Sequence, residues 1–495
     1  MPYTVLIVTG SGDIALSELL IRALDEPDIT VIPKTNAESA LNYIKAAPPD
    51  FIVASFTLAA DRSSPVEPGG GILFCEAARA ISDAPMALVT SAITNAVQQR
   101  VARMRSPPIC VTVDADLPAL LLVQIRAVRA ELLRLDITIR ADPAGEWSYD
   151  LHGTGFEFER RGRLNVPASL LVALKTVALA LTEAKESWRE IFYGLGKSIV
   201  DGFCADNPMF GEQLHAGLES AGGLANTRVT FIVADALYEI ALEAISSPVA
   251  ELPEPWMIHA PLVRSVAGVT PADTQLFDGP PRPLRCLILC ADASGVVDTL
   301  EDQGRPLKLA ALPHVRKECE EVRRLFSRVA RQLGFDEPRV VGGDDGAPLT
   351  EERLLDVLRE PAPWDVVHYA GHSYHSRDHP GRASLIVGER ERPVAVRINE
   401  VAPYLRRSKL VYLSSCNSGN AGFAFEAARQ GIPAIVGFRW GVRDDYADIH
   451  ARLFYRKLFK DRAIDTALWK TRRAMHRFMR DDRTWASSML VMQSH

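Results

Sequence analysis

Residues 410–440 read LVYLSSCNSGNAGFAFEAARQGIPAIVGFRW. The apolar run Leu410–Leu413 has strand character and ends in Ser414, Ser415 and Cys416. Small polar residues follow, then the helical-looking AFEAARQG with Gly431 placed to cap it, then a second strand, IPAIVGF. A strand, a turn, a helix and another strand make one βαβ unit, which places this part of the chain in a parallel α/β sheet. A cysteine where such a strand ends has four readings: a small buried hydrophobe, a metal ligand, half of a disulfide, or a nucleophile.

Working outward, the 495 residues allow about two to four domains. Apolar content of 47% and charged content of 24% are ordinary for globular chains. A net charge of −6 argues against an extended basic nucleic-acid surface, and the basic run KTRRAMHRFMRDDR (470–483) reads as a solvated helix face. No apolar run approaches the ~20 residues of a membrane span. The start, MPYTVLIVTGSGD, reads as a first strand and not as a signal peptide, so a cytoplasmic protein with reduced thiols is expected. The seven cysteines fit: none lies in a CxxC, and no Cys/His set has zinc-ligand spacing. Cys286 and Cys290, in LRCLILC, share one strand face and read as core, as do Cys75, Cys110, Cys204 and Cys319.

Three regions are expected. Residues 1–132 alternate short apolar strands with helical stretches and read as a doubly wound parallel sheet. Residues 133–275 read as an α+β platform: LDITIRA, EWSYDLHG and FEFERRGRL alternate like antiparallel strands, and three helices follow over roughly 167–186, 187–203 and 208–221. The Pro/Gly-rich QLFDGPPRPLR (275–285) is the expected linker. Residues 276–495 return to α/β, with the amphipathic HVRKECEEVRRLFSRVARQLG and a helix starting at Thr350 and Glu352 in capping-box style.

The chemistry comes from two strands together. WDVVHYAGHS (364–373) runs into Gly371, His372 and Ser373, and KLVYLSSC runs into Cys416. Active sites of open parallel sheets form at the carboxyl ends of strands, so if these two are neighbours the imidazole and thiol emerge side by side. A thiol is a weak nucleophile until deprotonated, and a nearby imidazole can take its proton. A helix starting just after Cys416 would lower the thiol pKa through its dipole. The backbone N–H groups of Ser373 and Cys416 are candidates for an oxyanion hole. His375 and His379 lie close to His372 in HSYHSRDHP, but their spacing fits no standard metal site, and no metal or cofactor is expected. Ser414 and Ser415 lie in no G-x-S-x-G elbow.

VVHYAGHS followed by VYLSSCNSG resembles the CHAT domain, a member of the caspase-like clan of cysteine peptidases that includes separase. IPAIVGFRWGVRDDYADIHARLFYRKLF, AIDTALWKTRRAM and DDRTWASSMLV downstream, with ALYEIALEAI and PLVRSVAG upstream, extend the likeness over about 225–495. The resemblance implies a caspase-like sheet with flanking helices, His372 as general base and Cys416 as nucleophile of peptide-bond cleavage. The family's bacterial members commonly act in defence or signalling cascades by cutting a dedicated partner protein, which the resemblance extends to this chain. Cleavage after Lys or Arg needs an acid to pair the buried cation, for which Asp444 and Asp445 are the candidates, with Trp440 as a pocket wall. The pair could instead cap the helix that starts near Tyr446. The rival to a peptidase is a catalytically silent scaffold or signalling adaptor.

Residues 1–132 resemble the receiver domain of response regulators in order, length and strand character. Where a receiver carries metal-binding acids after its first strand, this chain has Thr9 and Gly10; its phosphoacceptor position reads Ser55. A hydroxyl is kept as Thr90 or Ser91, the lysine after the fifth strand is absent, and Asp13 is out of position. The region therefore reads as a degenerate receiver, a docking or dimerisation module for a regulatory partner, rather than a phospho-switch.

Overall fold

The computed structural model describes the chain except residues 1–2, 11–12, 25–28, 48, 83, 92–93, 103–107, 114–116, 118–132, 143, 184–185, 247–253, 267–282, 303–304, 334, 344–346, 376–381, 420 and 494–495. The expected linker falls outside the described residues except for 283–285, as does His379. The chain divides into two compact units, Met1–Leu132 and Leu133–His495.

In the first unit five strands, β1 (Tyr3–Val8), β2 (Ile29–Lys34), β3 (Phe51–Ser55), β4 (Met86–Thr90) and β5 (Ile109–Thr112), form a parallel sheet in the order β2-β1-β3-β4-β5. This is the doubly wound order in which the chain reverses between β1 and β3. Val5 to Val8 and Phe51 to Ala54 are fully buried because both sheet faces are covered, which is why these strands read as unbroken apolar runs. Helices α1 (Ile14–Ala23), α2 (Ala37–Ala46), α3 (Gly70–Ile81) and α4 (Asn95–Ala102) connect them, and Asn36 caps α2 by accepting the Ser39 N–H at 2.9 Å. Ser55 ends β3, as expected. Asp13 comes to it despite its sequence position: its carboxylate accepts the hydroxyls of Ser55 at 3.2 Å and Thr57 at 3.3 Å.

The second unit is built on one sheet of eleven strands. The regions 133–275 and 276–495 both contribute to it. From the first come β6 (Leu133–Ala141), β7 (Trp147–Thr154), β8 (Phe158–Leu164), β9 (Thr227–Val233) and β10 (Leu262–Val266). From the second come β11 (Cys286–Cys290), then, after a two-stranded hairpin of β12 (Gly295–Asp302) and β13 (Arg305–Leu309), β14 (Arg339–Val341) and β15 (Val366–Ala370). A small antiparallel sheet of β16 (Ser373–Tyr374), β17 (Ser384–Glu389) and β18 (Arg392–Arg397) precedes β19 (Leu410–Ser414), β20 (Ala434–Phe438) and β21 (Ser488–Gln493). The large sheet runs β8-β7-β6-β9-β10-β21-β20-β19-β15-β11-β14. Its right-hand five strands are parallel, and β21 pairs antiparallel with β20 but parallel with β10. The final strand therefore joins two parallel blocks that run in opposite directions.

A buried charge cluster fastens the same seam. Glu243 receives Arg264 of β10 at 2.8 and 2.9 Å and Arg439, just after β20, at 3.2 Å. Burial opposes the Glu243 charge, but the two guanidiniums outweigh it and hold the carboxyl at about 2.

Helices α5 (Ala168–Glu183), α6 (Trp188–Cys204) and α7 (Pro208–Ser220) follow β8, close to the expected ranges. The amphipathic stretch forms α8 (Val315–Leu333), whose Val315, Cys319, Val322 and Phe326 pack on the sheet face carrying Cys286, Ile288 and Cys290. Thr350 caps α9 (Glu351–Leu358) by accepting the Arg353 N–H at 3.3 Å; α10 (Ile398–Leu405), α11 (Asp444–Asp461) and α12 (Ile464–Phe478) complete the set used below. No described helix is long and apolar enough to cross a membrane. None of the seven cysteines forms a disulfide.

Candidate active site

Strands β15 and β19 are neighbours, parallel and in register from Val366 opposite Leu410 to Ala370 opposite Ser414. The pairing continues one step further, with the Gly371 N–H donating to the Ser414 carbonyl at 3.2 Å. The next residues outward, His372 and Cys416, thus leave the carboxyl edge of the sheet from adjacent strands.

The turns beyond these strands require particular residues. A Cβ on Gly371 would lie 2.7 Å from the Tyr369 hydroxyl and 2.8 Å from both Ala291 Cβ and its carbonyl oxygen, so only glycine passes here. Asn417, next to Cys416, takes the left-handed conformation with φ of 59°, one that Asn adopts more readily than most residues. Ser418 braces the turn, donating its hydroxyl within 2.8 Å of the Ser415 carbonyl and accepting the Phe438 N–H at 3.1 Å. Tyr369 braces the histidine side: its hydroxyl lies 2.6 Å from the His372 carbonyl oxygen and accepts the Ile386 N–H at 3.2 Å.

His372 is half-buried, and its Nε2 lies 2.7 Å from the backbone carbonyl oxygen of Ala310. A carbonyl only accepts, so Nε2 carries the hydrogen and Nδ1 keeps its lone pair. Burial pushes the imidazole below its ordinary pKa, partly offset by the Ala310 carbonyl and by the charge of Asp444.

The Cys416 sulfur lies against Val442, whose N–H donates to it at 3.3 Å and whose carbonyl oxygen is 3.6 Å away. Burial pushes the thiol up; the Val442 N–H and the Arg483 cation pull it down, and Asp444 works against them. Burial thus disfavours the charged form of both groups.

The helix expected directly after Cys416 does not begin there. A π-helical turn starts at Ala421 and the α-helical part, Glu426–Arg429, is a single turn, so the expected dipole effect on the sulfur is replaced by the Val442 N–H. Gly431 does cap this segment, at φ of 99°. The Ser373 hydroxyl donates to the Cys416 carbonyl. Because the His372 carbonyl accepts the Ile386 N–H and Ser373 stands opposite Leu385, Ser373 takes the non-bonded position of its antiparallel pair. Its N–H points away from β17.

The three specificity candidates separate. Asp444, in the first turn of α11, is half-buried; its carboxylate accepts the His314 N–H at 2.6 Å, and burial pushes its pKa up. Asp445 is already paired with Arg443 at 2.7 and 3.1 Å and faces solvent. Trp440 is 3% exposed, its ring edge-to-face with Phe192 at 5.7 Å. Neither Asp caps α11 by a side-chain bond at its N-cap, Arg443. Residues unforeseen in the sequence are Ala310, His314, Val442 and Arg483. The first three act through backbone atoms, which leave no mark in side-chain identity, and Arg483 lies among the basic residues read as a solvated face. Among the described residues no group of three or more His, Cys, Asp or Glu could hold a metal ion.

Comparisons with known proteins fall on both units. Among solved structures, a two-component response regulator from Clostridium difficile is 18% identical, with 26% of this chain and 94% of that chain covered and a TM-score of 0.21. The chemotaxis protein CheY4 of Vibrio cholerae is 17% identical, with 26% and 99% covered and a TM-score of 0.22. The response regulator domain of Thermotoga maritima CheB is 17% identical, with 26% and 96% covered and a TM-score of 0.21. No curated protein matches the chain. Residues 209–493, more than half of the chain and the part that carries His372 and Cys416, match the model of the CHAT domain, and the chain belongs to that caspase-like peptidase family.

Proposed function

We propose that the protein is a cysteine endopeptidase that cuts a partner protein, with Cys416 as nucleophile and His372 as general base. The observation that carries this reading is the register of β15 on β19, which brings the imidazole and thiol to one sheet edge. As the sulfur attacks a peptide carbonyl, its proton passes to Nδ1 of His372 and the carbonyl π electrons move onto oxygen. The N–H groups of Ser373 and Cys416 are the proposed donors to that oxyanion. Collapse of the tetrahedral species breaks the C–N bond, the imidazolium returns the proton to the leaving amine, and an acyl-enzyme forms. Water, deprotonated by the same imidazole, then releases the acid and restores the thiol.

For specificity, Asp444 is the better candidate to pair a Lys or Arg side chain of the substrate, since Asp445 is committed to Arg443. The receiver-like unit is proposed as a docking module for a regulatory partner, because Thr9, Gly10 and Ser55 replace the acids an acyl-phosphate switch would need. A signalling or defence cascade fits a peptidase held under such control.

The test incubates wild type, Cys416→Ala and His372→Ala with proteins from the same genomic neighbourhood and with Lys/Arg peptide libraries. New termini are read by mass spectrometry. Each variant should lose at least ~10³-fold in cleavage rate, as removal of a nucleophile or its base does. Variants that cut as wild type does would remove Cys416 and His372 from the catalysis; a wild type that cuts nothing, with both variants acting in cells as it does, would replace the peptidase by a silent scaffold.

A further inference from the structure

The Cys416 sulfur and a guanidinium grip the same short piece of backbone from two sides. Val442 donates its N–H to the sulfur at 3.3 Å. The preceding residue, Gly441, accepts the Nε–H of Arg483 at 3.0 Å. A Cβ built on Gly441 would stand 3.5 Å from Arg483 Nη2 and 3.9 Å from Cys416 Sγ, so cation and sulfur flank one glycine. Arg483 is itself anchored. Its carbonyl accepts the Ser487 N–H at 2.8 Å at the start of the short helix Thr484–Ser487, in which Trp485 is fully buried. This turn leads directly into β21, so the cation is fixed to the strand that joins the two halves of the sheet. The other charged group acting on the sulfur is Asp444 from α11, opposite in sign and bonded to the His314 N–H; the titratable His372 leaves the end of the adjacent strand, and Asp482 adjoins Arg483 in sequence and acts on it.

We propose that Arg483 is the positioning residue of the Cys416 thiolate: it supplies the positive charge that stabilises sulfur as its proton leaves, and braces the Gly441–Val442 turn whose N–H holds the sulfur in place. The inference rests on the reading of Cys416 as the nucleophile. It also adds a purpose to two residues that the histidine–cysteine pair leaves unexplained. Gly441 has room for a side chain but stands where one would part cation from sulfur. Arg483 keeps a half-buried charge against the cost of burial, which lowers its own pKa while Cys416 works to raise it.

The test reads the sulfur directly in the full-length chain. Iodoacetamide alkylation of Cys416 is followed against pH by mass spectrometry of its peptide, in wild type, Arg483→Gln and Arg483→Lys, with Cys204 as an internal reference. Loss of a cation at this range in a half-exposed setting should raise the Cys416 midpoint by about half to one pH unit, or roughly three- to tenfold slower alkylation at pH 7. Arg483→Lys keeps the charge and should stay close to wild type. An Arg483→Gln profile that overlays wild type overturns the inference, and so does an Arg483→Lys profile displaced as far as Arg483→Gln. If Arg483→Gln loses its fold, seen as a faster reaction at Cys204, Arg483→His serves instead. Its Cys416 profile should gain an inflection as the new imidazole titrates, and a single-step profile overturns the inference. Alkylation needs no substrate, so the two readings fail separately: a flat Arg483 series beside cleavage that Cys416→Ala abolishes removes this inference alone.

Discussion

Replacing Glu318 by Ala should destabilise the Leu133–His495 unit and disorder the site although Glu318 touches neither His372 nor Cys416. Glu318 lies on α8, 1% exposed, with Oε1 3.2 Å from Nε2 of the fully buried His368 on β15. The other ring nitrogen of His368 is 3.1 Å from the Tyr455 hydroxyl, and its ring stacks on Tyr412. This contact pins α8 to the strand that delivers His372, and the segment entering α8 supplies the Ala310 carbonyl and the His314 N–H. Removing Glu318 leaves Nε2 of the ring without this partner in a sealed core, which costs about 1–3 kcal/mol. With an unfolding entropy of ~0.75 kcal/mol per kelvin for a unit of this length, the melting temperature should fall by about 1–4 °C. Thermal melts of Glu318→Ala, His368→Leu and the Glu318→Ala/His368→Leu pair make the check. The double variant removes both members of the contact and frees only the Tyr455 hydroxyl, as His368→Leu alone also does, so the cycle should show a coupling of at least ~1 kcal/mol. A Glu318→Ala melt that overlays wild type would refute the reasoning, because α8 would then be held by its apolar face alone.

Three further outcomes follow from the same geometry. Gly371→Ala drives a methyl into Tyr369 and Ala291, so it should cost about 1–3 kcal/mol in a melt and lower the cleavage rate through displacement of His372; an unchanged rate would mean that His372 is held from elsewhere. The pH profile of kcat/KM should carry an acid limb below the ordinary histidine value of ~6.5, because the base must be neutral and burial lowers its pKa. Asp444→Asn removes a charge that raises His372, so that limb should move to more acidic pH by less than ~1 unit; a move toward alkaline pH would place the limb on another group.

The elements visible in the sequence are those whose signals are local. β1, β3, β11, β15 and β19 are sealed on both faces and read as continuous apolar runs, and α8 shows its buried stripe in Val315, Cys319, Val322 and Phe326. The two motif strands could be paired because strand, Gly and His on one side and strand, Ser and Cys on the other are each local patterns. What stayed hidden depends on contacts distant in sequence. The regions before and after 276 share a sheet because β21, the last strand, inserts between β10 and β20, and nothing in SMLVMQ announces its neighbours. Asp13 was misplaced by counting along the chain, whereas its carboxylate reaches Ser55 and Thr57 through the fold.

If the proposed peptidase is controlled at this site, the segments that hold its two residues are where control would act. Each reactive atom pair is secured by backbone from a connecting segment: Nε2 of His372 by Ala310 between β13 and α8, and Cys416 by Val442 between β20 and α11. Such contacts hold the tautomer and the sulfur position whatever side chains the segments carry. A small displacement of either segment would therefore move His372 or Cys416 without altering the register of β15 on β19, which ten buried strand residues fix. The asymmetry is energetic: the strands are committed by burial, while each segment depends on one or two hydrogen bonds of about 1 kcal/mol. A partner that shifts the α8 or α11 entry by that amount of binding energy could switch the pair on or off while the fold stays intact.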